Sequence, residues 1–298
     1  MRKLKVFFLV IGILLLLAGG GLLTFAIINN STVKASAKTN NHLVEEDFDS
    51  IDISVETASV TFVASQDGKC NIECKETDKI VHDVKVVDKV LTVKVNDNRA
   101  WYDKFFMSFG FNEIKLTVSL PKDTYSSFKV KGDTGRIESK LNLKLNAVDV
   151  KCSTGSVDLE NIQAESFKAL NSTGSLTIKN ITATGDITLN EATGGTYVSA
   201  VRCNNFTCTS STGGVHMDDL IAQGKIDVRN STGGIKFERI DASSLYLKSS
   251  TGGIRGSILT GKTFRTSTST GSVSVPQTTG GECIAETSTG SIHITIAQ

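Results

Sequence analysis

Residues 151–159 read Lys-Cys-Ser-Thr-Gly-Ser-Val-Asp-Leu, residues 170–178 read Leu-Asn-Ser-Thr-Gly-Ser-Leu-Thr-Ile, and residues 229–237 read Arg-Asn-Ser-Thr-Gly-Gly-Ile-Lys-Phe. One Thr-Gly pair thus returns along the chain. It stands at Thr134-Gly135, Thr154-Gly155, Thr173-Gly174, Thr193-Gly194, Thr212-Gly213, Thr232-Gly233, Thr251-Gly252, Thr270-Gly271 and Thr289-Gly290. Successive copies are 19 or 20 residues apart. Ser precedes the Thr in seven of the nine copies, with Asp133 and Ala192 as exceptions. A period of this length marks a stack of small repeated units.

The columns around the glycine show what each unit is. Two positions after it stand Ile137, Val157, Leu176, Thr196, Val215, Ile235, Ile254, Val273 and Ile292. Four after it, Leu159, Ile178, Val198, Met217, Phe237, Val275 and Ile294 are broken only by Ser139 and Gly256. Seven before it come Val148, Phe167, Ile187, Phe206, Ile226, Leu245, Phe264 and Cys283. The residues between are mostly polar. Alternation with period two is the mark of strands with one buried face. Each repeat therefore predicts two short strands and two corners, one at Thr-Gly and one near segments such as Ile162-Gln163-Ala164. Such a unit cannot bury its own apolar face, but stacking does so. The predicted fold is all-β: a single-stranded parallel β-solenoid with coils of 19–20 residues over 131–298. Nine coils at a strand spacing of ~4.8 Å make a rod on the order of 40 Å long. The Thr-Gly corners read as structural, because glycine adopts positive φ freely and hydroxyls satisfy corner backbone groups.

Residues 43–130 show strands with a looser period and read as irregular first coils that cap the rod's N-terminal edge. One loop there, 98–111, is rich in aromatic residues: Trp101, Tyr102, Phe105, Phe106 and Phe109. It is the candidate interaction loop. The competing reading is a cover for the core of the first coils, which fits the usual burial of aromatic clusters.

Residues 1–5 form a basic tail with Arg2, Lys3 and Lys5, and residues 6–28 carry no charge. A helix over 6–28 is long enough to cross a hydrocarbon core of ~30 Å. The preceding cations leave the N-terminus in the cytoplasm and send the rest outside. A cleavable signal peptide is the rival, with Ala35-Ser36-Ala37 as its cleavage site, but the apolar run is longer than a signal peptide needs. Residues 29–42 read as a polar stalk. The expectation is a single-pass cell-membrane protein with an extracytoplasmic rod.

The repeated Ser-Thr-Gly-Ser-Val-x-Leu unit of 153–159, the strand end at Leu120-Pro121 and the N-terminal apolar segment resemble the bacterial "putative adhesin" family of repetitive β-strand proteins. The resemblance spans roughly residues 45–298. It implies an envelope-associated β-solenoid, of a kind that accompanies envelope-stress systems in Gram-positive bacteria. It implies no catalytic or binding residues.

Chemistry is sparse. His42, His82, His216 and His293 form no ligand-spaced pair, so the sequence shows no metal or cofactor motif. His216 and His293 fall on outward positions and read as surface residues. The six cysteines read as buried thiols in apolar columns, with a disulfide as the alternative. Cys70 and Cys74, four apart in one strand, lie too far apart to bridge. Acids such as Asp158, Glu160, Asp186, Asp218, Asp219, Asp227 and Glu238 are interleaved with Lys and Arg, as on a solvated face. Net charge is +1, distributed as +5 over 1–42, −5 over 43–130 and +1 over 131–298. No block has the basic stripe that nucleic acid requires.

The function expected is a non-enzymatic interaction module of the cell envelope, with cell-wall polymer or another envelope protein as partner. Two alternatives stay open: a scaffold that self-assembles end to end through the C-terminal coil, 291–296, and a glycan-active β-helix enzyme.

Overall fold

The computed structural model describes Gly12, residues 16–22, 24–25, 38–76, 80–98 and 114–298. Gly12, 16–22 and 24–25 are helical, and everything described from Lys38 onward is strand, turn, bend or irregular. Among the described residues no helix is long and apolar enough to cross a membrane. Most of the apolar run over 6–28, the stalk residues 29–37 and the aromatic loop with Trp101, Tyr102, Phe105, Phe106 and Phe109 lie outside the described residues.

The strands are β1 (Lys38–Val44), β2 (Ser50–Ala64), β3 (Cys70–Glu76), β4 (Ile80–Val87), β5 (Val90–Asp97), β6 (Ile114–Leu120), β7 (Thr124–Thr134), β8 (Ile137–Ser139), β9 (Leu143–Ala183) and β10 (Ile187–Cys203). They continue with β11 (Phe206–Thr212), β12 (Val215–Ala222), β13 (Lys225–Thr232), β14 (Ile235–Ile240), β15 (Ser244–Thr251), β16 (Ile254–Ile258), β17 (Lys262–Thr270), β18 (Val273–Ser274), β19 (Gly281–Thr289) and β20 (Ile292–Ile296).

From β7 to β16 the repeats pair in parallel and in register. Thr134 faces Thr154, Thr173 faces Thr193, and Thr212 faces Thr232. The inward columns meet in the same way: Phe167 with Ile187, Val215 with Ile235, Val228 with Leu247. Register is held because a one-residue slip would turn every apolar side chain outward; the β14–β16 pairing shifts only between Phe237 and Ile240, at a local irregularity. The buried Ile, Leu, Val and Phe form one continuous core along the stack. Each fully buried aliphatic or aromatic side chain contributes roughly 1.5–3 kcal/mol.

Both corners are left-handed. The nine corner glycines have φ between 129° and 146°. The second corner places Asn161, Asn180, Ala200, Asp219 and Arg239 at φ 49–62°. Asn and Asp tolerate this conformation, whereas Ala200 and Arg239 carry roughly 1–2 kcal/mol of strain each.

At both ends the stacking order departs from the chain order. β2 is sandwiched: Ile51 pairs with Leu91 of β5 on one side and Phe128 of β7 on the other. β6 likewise covers the second half of β2, with Val60 opposite Leu116. Antiparallel strands then close this end, β4 on β5, β3 on β6 and β1 on β3. The region expected as irregular first coils therefore contains a folded-over antiparallel cap. Residues 38–42, expected in the stalk, belong to β1, because the outer edge of β3 offers them a ladder. At the other end Cys283 of β19 pairs with both Leu245 of β15 and Phe264 of β17, and β20 pairs with both β16 and β18. The last coil in sequence is thus an inner one. The expectation that 291–296 ends the stack is corrected, and β17–β18 forms the outer coil.

All six cysteines are free and buried. Burial pushes the thiols of Cys70, Cys74, Cys203, Cys208 and Cys283 up to about 12.

Candidate functional site

The position three residues after each corner glycine points outward. In five successive coils it holds Thr177, Tyr197, His216, Lys236 and Arg255. Parallel pairing brings these side chains into one file, Thr177 opposite Tyr197, then His216, Lys236 and Arg255, with His293 after Arg255. Five coils at ~4.8 Å extend the file over roughly 19 Å. Beside it runs the column Lys179, Ser199, Asp218 and Glu238. Together they line a shallow groove of about 490 Å³.

Tyr197 and His216 stack, with ring centroids 5.3 Å apart and planes 13° apart. Tyr197 is 47% exposed. Burial, and after it the Lys236 ammonium, hold the His216 imidazole below its usual pKa. It is neutral at pH 7 and stacks as an uncharged ring. The rings have room because the residue after the corner glycine is itself glycine. A Cβ on Gly195 would lie 2.7 Å from the Tyr197 ring, and one on Gly214 would lie 2.9 Å from His216 Nε2. Among the nine corners the Thr-Gly-Gly form occurs at 193–195, 212–214, 232–234 and 251–253, the same coils that supply Tyr197, His216, Lys236 and Arg255.

The groove's acids are already partnered. Arg239 Nη2 reaches Asp218 Oδ1 at 2.8 Å, and its Nη1 reaches Glu238 Oε1 at 3.2 Å. Arg239 is one of the strained positive-φ residues, and its guanidinium lies between the two carboxylates. Among the described residues, Lys179, Lys236 and Arg255 make no ion pair. The groove therefore joins a stacked aromatic surface to free cations.

Four of the other acids singled out in the sequence, Asp158, Asp186, Asp219 and Asp227, are held by neighbours. Asp219 accepts a forked contact from Arg202, Asp227 one from Arg229, and Asp158 lies 3.5 Å from Arg136. Asp186 accepts from Asn204 and Asn205. These are surface pairs worth roughly 0–1 kcal/mol each. His293 is exposed, as expected, but His216, expected on the surface, is a half-buried member of the groove. A separate group of metal-ligating side chains, His42, Cys74 and Glu76, assembles in the N-terminal cap.

A family model described as Toastrack DUF4097 matches residues 48–227, more than half of the chain. The chain belongs to the Toastrack DUF4097 family. The Toastrack match covers the cap apart from β1, the inner coil β2 and the repeats as far as β13, so it contains Tyr197 and His216. Lys236 and Arg255 lie in the repeats that continue beyond it in the same register.

Solved structures with a similar repetitive β fold include a "putative adhesin" from Bacteroides fragilis, at 17% identity over 87% of this chain and 97% of that one, with a TM-score of 0.43. Another "putative adhesin", from Parabacteroides merdae, is 11% identical over 87% and 96% of the two chains, with a TM-score of 0.45. A "putative lipid binding protein" from Parabacteroides distasonis is 12% identical over 87% and 97%, with a TM-score of 0.46. No curated protein matches the chain.

Proposed function

We propose that this Toastrack protein is a non-enzymatic, adhesin-like module of the bacterial cell envelope that holds an extended anionic glycopolymer in its groove. The observation that carries the reading is the file of Tyr197, His216, Lys236 and Arg255. Flat rings suit the apolar faces of sugars. Unpaired Lys and Arg suit phosphate or carboxylate oxygens. A file repeating at the strand spacing suits a chain-like ligand rather than a compact one. The N-terminal segment 6–28, preceded by Arg2, Lys3 and Lys5, is the single-pass anchor in this reading, and it places the rod outside the membrane.

The test uses the full chain in detergent micelles and purified cell walls, before and after acid stripping of their phosphate-bearing polymer. Intact walls should retain the protein, stripped walls should not, and added salt should weaken retention. Lys236→Ala combined with Arg255→Ala should lower affinity on the order of 100-fold or more, since hydrogen bonds to charged groups contribute about 1.5–3 kcal/mol each. Equal retention by stripped walls, or a double variant that binds like the parent, sinks the proposal. Shortening of the bound polymer would return the glycan-active enzyme to first place.

A second reading rests on the outer coil. The far edges of β17 and β18 meet no strand among the described residues. A second copy of the chain could add there by strand pairing and give the end-to-end scaffold. Sedimentation across a wide concentration range tests this, and a constant monomeric mass removes it.

A further inference from the structure

We propose that the N-terminal cap carries a transition-metal site, of the kind zinc occupies, built from His42, Cys74 and Glu76. The residues lie far apart in sequence, and the antiparallel pairing of β1 with β3 joins them. Asn40 stands opposite Cys74 and His42 opposite Ile72, so Asn40, His42, Cys74 and Glu76 share one face of the two strands. One ligand atom from each of His42, Cys74 and Glu76 lies within 4.8 Å of the others. His42 Nε2 is 3.5 Å from Glu76 Oε1.

Three observations point to a cation there. First, Glu76 is buried, 6% exposed, and its only ion-pair partners among the described residues are the histidines His42 and His82. A buried carboxylate without a firm counter-charge is expensive. Second, His42 Nε2 is shielded from solvent and has no hydrogen-bond partner, although it faces the carboxylate. In either tautomer that nitrogen has no protein group in hydrogen-bonding geometry. Third, Glu76 is already oriented as a metal-ligating carboxylate is. The His82 backbone N–H and Nδ1 reach its Oε1 at 2.7 and 3.1 Å, and the Asn40 amide donates to its Oε2. Hydrogen bonds from a surrounding shell are what fix metal-bound carboxylates.

The donor set is one thiol sulfur, one imidazole nitrogen and one carboxylate oxygen, which suits a borderline-soft ion that accepts all three. On binding, the Cys74 thiol releases its proton to solvent and the thiolate becomes the ligand. Thiolate and carboxylate together balance the two positive charges of the ion. Three protein ligands leave a fourth position, and His42, which is only half-buried, gives that position access from outside.

The experiment uses the full chain in detergent, stripped of metal, kept reduced and titrated with Co²⁺. Binding through Cys74 should produce a thiolate-to-cobalt charge-transfer band and the strong visible bands of a tetrahedral ion. Zinc should abolish both at one equivalent. Cys74→Ser and His42→Ala should lose the charge-transfer band, whereas Cys152→Ser, which removes a buried thiol in the repeats, should keep it. His82→Asn should weaken cobalt affinity on the order of 10–100-fold. Circular dichroism separates loss of the site from loss of the fold. Because Glu76→Gln keeps the side chain's shape, a folded E76Q protein that binds as tightly as the parent excludes Glu76 as a ligand. Absence of the charge-transfer band in the folded parent overturns the proposal, as does its survival in folded Cys74→Ser.

Discussion

Gly194→Ala is expected to abolish folding of the middle of the stack. At Gly194 φ is +145°, a conformation that side chains rarely adopt. The larger effect is stacking. A Cβ at this position would sit 1.5 Å from the carbonyl oxygen of Gly174 in the preceding coil. The obstacle is backbone, and that backbone belongs to a corner with the same constraint. A Cβ on Gly174 would lie 1.7 Å from Gly155 O, and one on Gly213 would lie 1.8 Å from Gly194 O. The corners nest directly on each other, so a single methyl group must push neighbouring coils away from each other. A repeat stack depends on the interfaces between neighbours, and an opened interface leaves each half with a raw edge. The loss should exceed about 4 kcal/mol, in the range reserved for named structural failures. The control is Gly195→Ala, where the new methyl meets the movable ring of Tyr197 rather than backbone. That variant should keep most of its thermal stability and lose groove binding. Thermal unfolding followed by circular dichroism checks both. A Gly194→Ala protein that melts within a few degrees of the parent would refute the nested-corner account.

The contrast between these two glycines shows where sequence reading succeeds and where it stops. The first glycine of each corner recurs at 19 or 20 residues, and inward columns such as Phe167, Ile187 and Phe206 follow from it by period two. Periodicity of that kind is a local property, and stacking adds nothing that contradicts it. The second glycine, at Gly195 and Gly214, is equally visible, but its meaning depends on Tyr197 and His216 folding back over it. Outward parity alone gives no reason to connect Tyr197 with Arg255. The order of coils at the two ends is not legible at all. Leu245, Phe264 and Cys283 occupy equivalent positions in their repeats, so the inward pattern fits any order of stacking. Choosing β19 as the neighbour of β15 is a decision between near-identical ladders, made by connections and packing. The metal-ligating group of the cap is hidden for a related reason. His42 and Glu76 are joined by antiparallel pairing in a stretch where the period fails.

The corner chemistry also yields a pH prediction at Glu191. Three positions before the corner glycine, the side chain points into the stack, and in several coils it donates to a glycine carbonyl of the adjoining coil. Asn171 reaches Gly155 O at 3.2 Å, Asn230 reaches Gly213 O at 2.8 Å, Ser249 reaches Gly233 O at 3.0 Å and Thr287 reaches Gly252 O at 2.8 Å. In the coil of Gly194 this position is Glu191, and an ionised carboxylate has no proton to donate. It is 2% exposed, and neither oxygen has a hydrogen-bond partner. Burial raises its pKa from 4.5 to about 7, against smaller opposing effects of Asn171 and the Thr193 backbone. A pKa higher in the folded state than in the unfolded one means that folding takes up a proton. The stabilisation is therefore complete below pH 4.5 and is lost as pH rises through about 7. The difference between those limits corresponds to about 3 kcal/mol. Glu191→Gln supplies a permanent donor of the same shape. It should match the parent near the acid limit and exceed it by about 3 kcal/mol once pH is above the folded pKa. Denaturant unfolding of parent and variant across this range gives the measurement. A stability difference that stays constant with pH would mean that Glu191 is solvated in the folded chain, and that its carboxylate has found a partner the corner ladder does not provide.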